Sequence, residues 1–333
     1  MPEAALSPRP RSLWRRFRDM FSRRDLVEAM VVAFAFLLYF AVRGAVIDRP
    51  EAAYRHALDV IDAQRYLGIF WEDDMNEWIR DRRFLAQTAN VVYFWLHFPL
   101  IIAFGIYLYY GQRGKYTLMR DAFLTSGAIA LVVYWLYPVA PPRELPELAA
   151  QFDNGGPVYV RGFFDTMQEY LGYGYQAQST AWFVNPYAAM PSLHFGWDLL
   201  LGVGIVWASW RQRWMWLTLP IGVFLPVSQI PAITATANHF FLDAAAGAGV
   251  ALMGFPAALA LRRLVYPRLI DTLDASPWPA LRRWLPADTG ELGDAAPETS
   301  ISGQSGTGAG PGGSTSSSDG TLAAGSGLRR PPP

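Results

Sequence analysis

The sequence predicts an all-α, polytopic membrane protein: a bundle of six transmembrane helices with an external amphipathic helical segment. Three observations predict it. Of 333 residues, 52% are hydrophobic and only 17% are charged, an apolar load above that of an ordinary soluble domain. Six apolar stretches, roughly 26–47, 88–110, 119–138, 191–209, 214–232 and 240–261, each approach the ~20 residues a helix needs to cross the hydrocarbon core. The segments between them alternate in arginine content, as loops on alternating sides of a membrane do.

The first 25 residues form a basic tail, with seven Arg in "RPRSLWRRFRDMFSRR". The first apolar stretch is too long for a cleaved signal peptide and lacks a small-x-small cleavage pattern. After it, 48–87 carries six Arg against nine Asp and Glu, a partial exception to the arginine rule. Within it, 51–83 reads as an amphipathic helix with Tyr54, Leu58, Ile61 and Tyr66 near one face, placed on the outer membrane surface. The second and third stretches are joined by the basic turn "GQRGKYTLMRD". Segment 139–190 has only Arg143 and Arg161 and many aromatic residues; a loop that long in a compact domain is usually functional. The fourth and fifth stretches are joined by "WRQRW", and "LRRLVYPR" follows the sixth. Both termini are therefore placed in the cytoplasm. The membrane domain covers 26–265, a juxtamembrane segment 266–286, and from 287 to 333 the Gly, Ser, Thr and Pro composition cannot bury a core, so disorder is expected. With no Cys and zero net charge, a disulfide scaffold, a thiolate site and a cysteine nucleophile are excluded, and nucleic acid as a partner has no support.

That topology brings three polar clusters to one membrane face: "YPVAPPR" (137–143), "MPSLH" (190–194) and "TATANHFFLDAAAG" (234–247). His239 and Asp243 are four apart, one turn on a shared helix face. A carboxylate there can accept a hydrogen bond from one imidazole nitrogen and leave the other as a nucleophile. His194 supplies a general acid or base. Pro191 and Ser192 occupy the first turn of the fourth stretch, where free amides and the helix dipole favour an anion. Arg143 offers a guanidinium matched to phosphate. A zinc site built from His194, His239 and Asp243 is the metal alternative, which the adjacent Arg disfavours. His97 lies about 13 Å into the second stretch, where an ionisable group is functional or paired. Asp198 follows His194 by four residues and must be partnered or neutral, either through a bond to another span or by pairing with His194. His56 reads as a solvated surface residue.

These motifs resemble the type 2 phosphatidic-acid phosphatase superfamily, the lipid phosphate phosphatases. "YPVAPPR", "NPYAAMPSLH" and "NHFFLD", with "YLGIFWE" in the first outer loop, are closest to the inositol phosphorylceramide synthase branch; the resemblance covers roughly 50–265. It implies that His239 attacks phosphorus to form a phosphohistidine, Asp243 orients it, and His194 protonates the leaving alcohol. Arg143 and Ser192 would hold phosphate, with no metal or cofactor. The chain departs from the phosphatases' pattern at Leu136, Glu144 and Ile233, where they carry Lys, Pro and Arg. Asn238 and Thr236 are expected to donate neutral hydrogen bonds in compensation. Fewer cations favour a monophosphate or a phosphodiester lipid over a pyrophosphate. The partners implied are a membrane lipid with a phosphate head group, and water or a polyol as acceptor. The rival from another class is a transporter or binding protein with a midplane anion site.

Overall fold

The computed structural model describes residues 23–44, 49–93, 97–171 and 186–277. Most of the basic tail and the expected disordered segment 287–333 lie outside the described residues. The chain divides into a unit Met1–Leu292 and a second, Gly293–Pro333; all described residues belong to the first.

The described residues are helical, with no strand and one isolated bridge between Val139 and Ala188. In chain order the helices are α1 (Arg23–Gly44), α2 (Pro50–Leu67), α3 (Glu72–Arg80), α4 (Arg83–Val91), α5 (His97–Gly111), α6 (Arg113–Leu136), α7 (Leu145–Phe152), α8 (Thr166–Leu171), α9 (Leu193–Ala208), α10 (Met215–Ala235), α11 (Phe241–Ala260) and α12 (Tyr266–Asp274). A π turn, Leu261–Val265, joins the last two. Among the described residues, three helices are long and apolar enough to cross a membrane: Arg113–Leu136, Met215–Ala235 and the continuous Phe241–Asp274. The other three stretches expected to span contain shorter apolar helices, Glu28–Tyr39, His97–Gly111 and Leu193–Ala208, which fall short of that length. The expected second stretch, 88–110, is divided between α4 and α5.

The amphipathic segment is two helices rather than one. Gly68 ends α2 with φ 70, a left-handed C-cap that glycine adopts without a Cβ penalty, and α3 restarts at Glu72. Tyr54 and Ile61 are buried, but Tyr66 is 91% exposed. Twelve residues at about 100° each bring Tyr66 roughly 120° away from Tyr54, off the face the sequence assigned to it.

Contacts fix which ends meet. Tyr134, near the end of α6, donates to the Pro191 carbonyl ahead of α9 at 2.8 Å. The Ser192 amide donates to the Asp243 carbonyl in the first turn of α11 at 2.9 Å. The N-termini of α9 and α11 and the C-terminus of α6 therefore share one end of the bundle. At the other end Lys115 donates to the Trp207 carbonyl at 3.1 Å, Arg120 pairs with Asp121 at 2.7 Å and Glu28 at 2.5 Å, and Arg262 bonds Thr117. The helices pack on small residues. A Cβ on Gly247 would lie 2.1 Å from the Ser192 carbonyl oxygen, and one on Gly202 2.1 Å from that of Gly222.

Candidate active site

The three polar clusters meet at the α9/α11 end. Val139 donates to the Tyr187 carbonyl at 2.9 Å and accepts from the Ala189 amide at 3.1 Å, which joins the first cluster to the second. Arg143 donates its amide to the Ala237 carbonyl at 3.0 Å, joining the first to the third. His56 bonds the Pro138 carbonyl at 2.8 Å and stacks on Tyr137 at 3.9 Å. It is a half-buried strut of this loop, not the solvated surface residue the sequence suggested.

His239 is buried. Its Nδ1 lies 2.8 Å from the Ala189 carbonyl oxygen. A carbonyl can only accept, so Nδ1 carries a proton, and in the neutral ring the lone pair is on Nε2. Nε2 has no hydrogen-bond partner among the described residues. The expected bond from Asp243 is not made: its Oδ2 is 3.6 Å from Nδ1, beyond hydrogen-bond range. That oxygen instead accepts from the Phe240 amide at 2.8 Å. The reason is local. α11 begins at Phe241, so His239 precedes the helix, and the four-residue spacing does not place the two side chains one turn apart.

Ser192 is fully buried and caps α9, its Oγ accepting from the Phe195 amide at 3.5 Å. His194 stands in the first turn of α9, stacked on Tyr93 at 4.1 Å, with its ring centre 5.7 Å from His239 and 5.3 Å from His97. The three imidazoles, with Tyr134 and Trp197, line one small cavity.

Arg143 donates through Nη1 to the side-chain Oδ1 of Asn238, and Asn238 Nδ2 in turn donates to Thr236 Oγ1 at 2.7 Å. Nε of Arg143 lies 3.5 Å from both Glu144 and Asp165. Asp165 was not anticipated from the sequence. Its other oxygen accepts from the amides of Met167 and Gln168 at 2.8 and 3.0 Å, so it caps α8 and faces the guanidinium at once.

Asp198 is buried and fully engaged with other helices. Oδ1 meets His97 Nδ1 at 2.7 Å, and Oδ2 accepts from Gln229 Nε2 at 2.6 Å. Of the two pairings the sequence left open, the bond to other helices is the one formed: both oxygens are committed to His97 and Gln229 rather than to His194. Gln229, on α10, carries no sequence signal of this role.

No group of three His, Asp or Glu among the described residues could hold a metal ion. The arrangement offers an imidazole lone pair, a second imidazole beside it, a guanidinium and the start of a helix, which suits nucleophilic attack on an anion. A family model described as the PAP2 superfamily matches residues 58–257, more than half of the chain. No curated protein and no solved structure matches it.

Proposed function

The chain belongs to the PAP2 superfamily, and from that premise we propose that it is an integral membrane lipid phosphatase or phosphotransferase working through a phosphohistidine. His239 Nε2 attacks phosphorus and the P–O bond to the lipid alcohol breaks, with His194 supplying the proton the alkoxide needs. Water, or a polyol in the manner of the inositol phosphorylceramide synthase branch, then attacks phosphorus; the N–P bond breaks and His194 takes the acceptor's proton. Arg143, Ser192 and Asn238 hold the phosphate oxygens, and Asp243 steadies the charge that develops on the His239 ring. No metal or cofactor is required, because a guanidinium, an imidazolium and a helix N-terminus oppose the developing charge. Six helices span the membrane, both termini are cytoplasmic, and the chemistry lies at the external face.

The observation that carries this reading is the state of His239. Its Nδ1 is committed to the Ala189 carbonyl and its Nε2 is unbonded, 5.7 Å ring to ring from His194.

The test is purified protein in mixed micelles with phosphatidic acid, read for inorganic phosphate, and with phosphatidylinositol plus ceramide, read for a new phosphodiester. His239→Ala should abolish both, and activity should survive exhaustive chelation. His194→Ala should slow an alkyl phosphate far more than an aryl phosphate, whose leaving group needs no proton. Equal slowing of the two would remove His194 from the acid role, and zinc-dependent rescue after chelation would replace the phosphohistidine with a metal mechanism.

A further inference from the structure

The turn that carries His239 is strained. Ala237 adopts φ 56, a left-handed conformation that a residue with a Cβ takes only when its surroundings impose it. Immediately after it α11 begins, and the first amides of a helix find no partner within the helix. Here three consecutive ones meet carboxyl or amide oxygens: Phe240 meets Asp243 at 2.8 Å, Phe241 meets Glu72 Oε1 at 2.6 Å, and Leu242 meets Gln64 Oε1 at 2.8 Å. Two of those acceptors come from α2 and α3, far back in the sequence. Glu72 Oε1 also accepts from Gln64 Nε2 at 2.7 Å, and Oε2 from the Trp71 amide at 3.0 Å. One carboxyl group, 1% exposed, thus ties the starts of α3 and α11 to α2. Burial pushes this carboxyl above the ordinary carboxylate range, and the three donors partly offset it. An ionisable group held at that cost between helix starts has a task there.

We propose that Glu72, seconded by Gln64, is a positioning residue for His239. By closing the N-terminus of α11 it fixes the turn two residues upstream, so that the His239 ring stays on the Ala189 carbonyl with Nε2 aimed at phosphorus. The same clamp assigns the phosphate to its place. The first amides of α11 are already bonded to oxygens of Asp243, Glu72 and Gln64, so they have no free N–H to offer a further anion. The start of α9, beside His194, is left for the phosphate.

The inference rests on the phosphohistidine reading, so the experiment pairs turnover with a measurement independent of it. Full-length wild type, Glu72→Ala, Glu72→Gln and the exposed control Glu77→Ala are compared for hydrolysis of phosphatidic acid in mixed micelles, and for amide hydrogen exchange across 236–242. For Glu72→Ala, kcat per folded molecule should fall about tenfold or more with KM within about twofold, the signature of a misaligned reacting group. Exchange at Phe241 and Leu242 should quicken. Glu72→Gln, whose amide oxygen can still accept from Phe241, should recover to within about threefold of wild type, and Glu77→Ala should match wild type. Wild-type kcat in Glu72→Ala despite faster exchange would overturn the proposal, as would Glu72→Gln no better than alanine. Should Glu72→Ala not fold, Gln64→Leu removes the Leu242 acceptor and one donor to Glu72 while leaving the Glu72 carboxyl in place, and must show the same split of kcat from KM; wild-type kcat there is equally fatal. If wild type itself releases no phosphate, the functional reading fails, and exchange still reports whether the clamp holds the turn.

Discussion

His239 takes its tautomer from the Ala189 carbonyl, and that source could not be read from residue spacing. The His-x-x-x-Asp pattern invites a side-chain pair, but the pattern works only inside a helix, and α11 starts two residues too late. Asp243 instead turns back to the Phe240 amide at 2.8 Å, as acidic residues at the third position of a helix do. The pair His194 and Asp198 does lie within one helix, yet Asp198 reaches away to His97 and Gln229 on α5 and α10. The residue types were legible because ionisable groups in apolar stretches are rare and costly. The partners were not, because Asp165, Gln229 and Glu72 act on residues 22, 31 and 169 positions away, where no local period links them. The buried His97–Asp198 contact makes one prediction at this scale. If it steadies the His194 ring, whose centre is 5.3 Å from that of His97, Asp198→Asn should lower kcat about tenfold while KM moves little, since a small displacement of a reacting group is costly. It should also destabilise the fold by about 1–3 kcal/mol, the usual cost of leaving a buried polar group without its hydrogen-bond partner. Turnover per folded molecule equal to wild type would leave the contact as a tether between helices and nothing more.

Among the elements, α9 and α11 matter most, because they carry His194 and Asp243 and touch backbone to backbone. The approach is possible only because Gly247 and Gly196 carry no side chain: a Cβ on Gly196 would lie 2.5 Å from the Gly247 carbonyl oxygen, and one on Gly247 2.1 Å from that of Ser192. Both distances are shorter than any real contact of those atoms, so the helices would have to part. Apolar stretches at 191–209 and 240–261 foretold the two helices, but nothing in their composition foretold which glycines form the crossing. The break at Gly68 was equally hidden, since one glycine within an amphipathic pattern is tolerated in many helices. Gly247→Ala should cost about 1–3 kcal/mol, as overpacking at a close contact does, and should lower turnover as well, by moving Ser192 and His194 away from Asp243. Gly249→Ala is the control: no atom lies within 4 Å of its Cβ position, and alanine gains up to about 1 kcal/mol over glycine within a helix. Thermal unfolding of both variants, with activity read per folded molecule, separates the crossing from mere glycine loss. Equal stability of the two would mean that the helices slide apart without penalty.

For the whole molecule, the two ends of the bundle differ in chemistry, and that difference makes the proposed orientation in the membrane testable. α6 runs from Arg113 at the basic end to Leu136 at the site end, and α10 runs the same way, from Met215 to Ala235. The intervening α9 must therefore return from the site end to the basic end, although its 16 residues cover only about 24 Å at the usual rise, short of the ~30 Å hydrocarbon core. Its two ends are each completed by irregular chain, Pro191–Ser192 at one and the turn Ser209–Trp214 at the other. Composition alone marks six apolar stretches, whereas length and apolarity together mark three helices among the described residues. Arg113, Arg120, Arg211, Arg213, Arg262 and Arg263 all belong to the basic end, and the proposal of an external site rests on the arginine rule applied to these short turns. The chain has no cysteine, so single introduced cysteines report sidedness without background. Gln168 on α8 and Arg213 in the turn between α9 and α10 are both exposed. Gln168→Cys should label in intact cells with a membrane-impermeant maleimide, and Arg213→Cys only after lysis. The opposite pattern would turn the molecule over and place the His239 chemistry on the cytoplasmic leaflet, where the lipid head group and its acceptor would have to come from inside the cell.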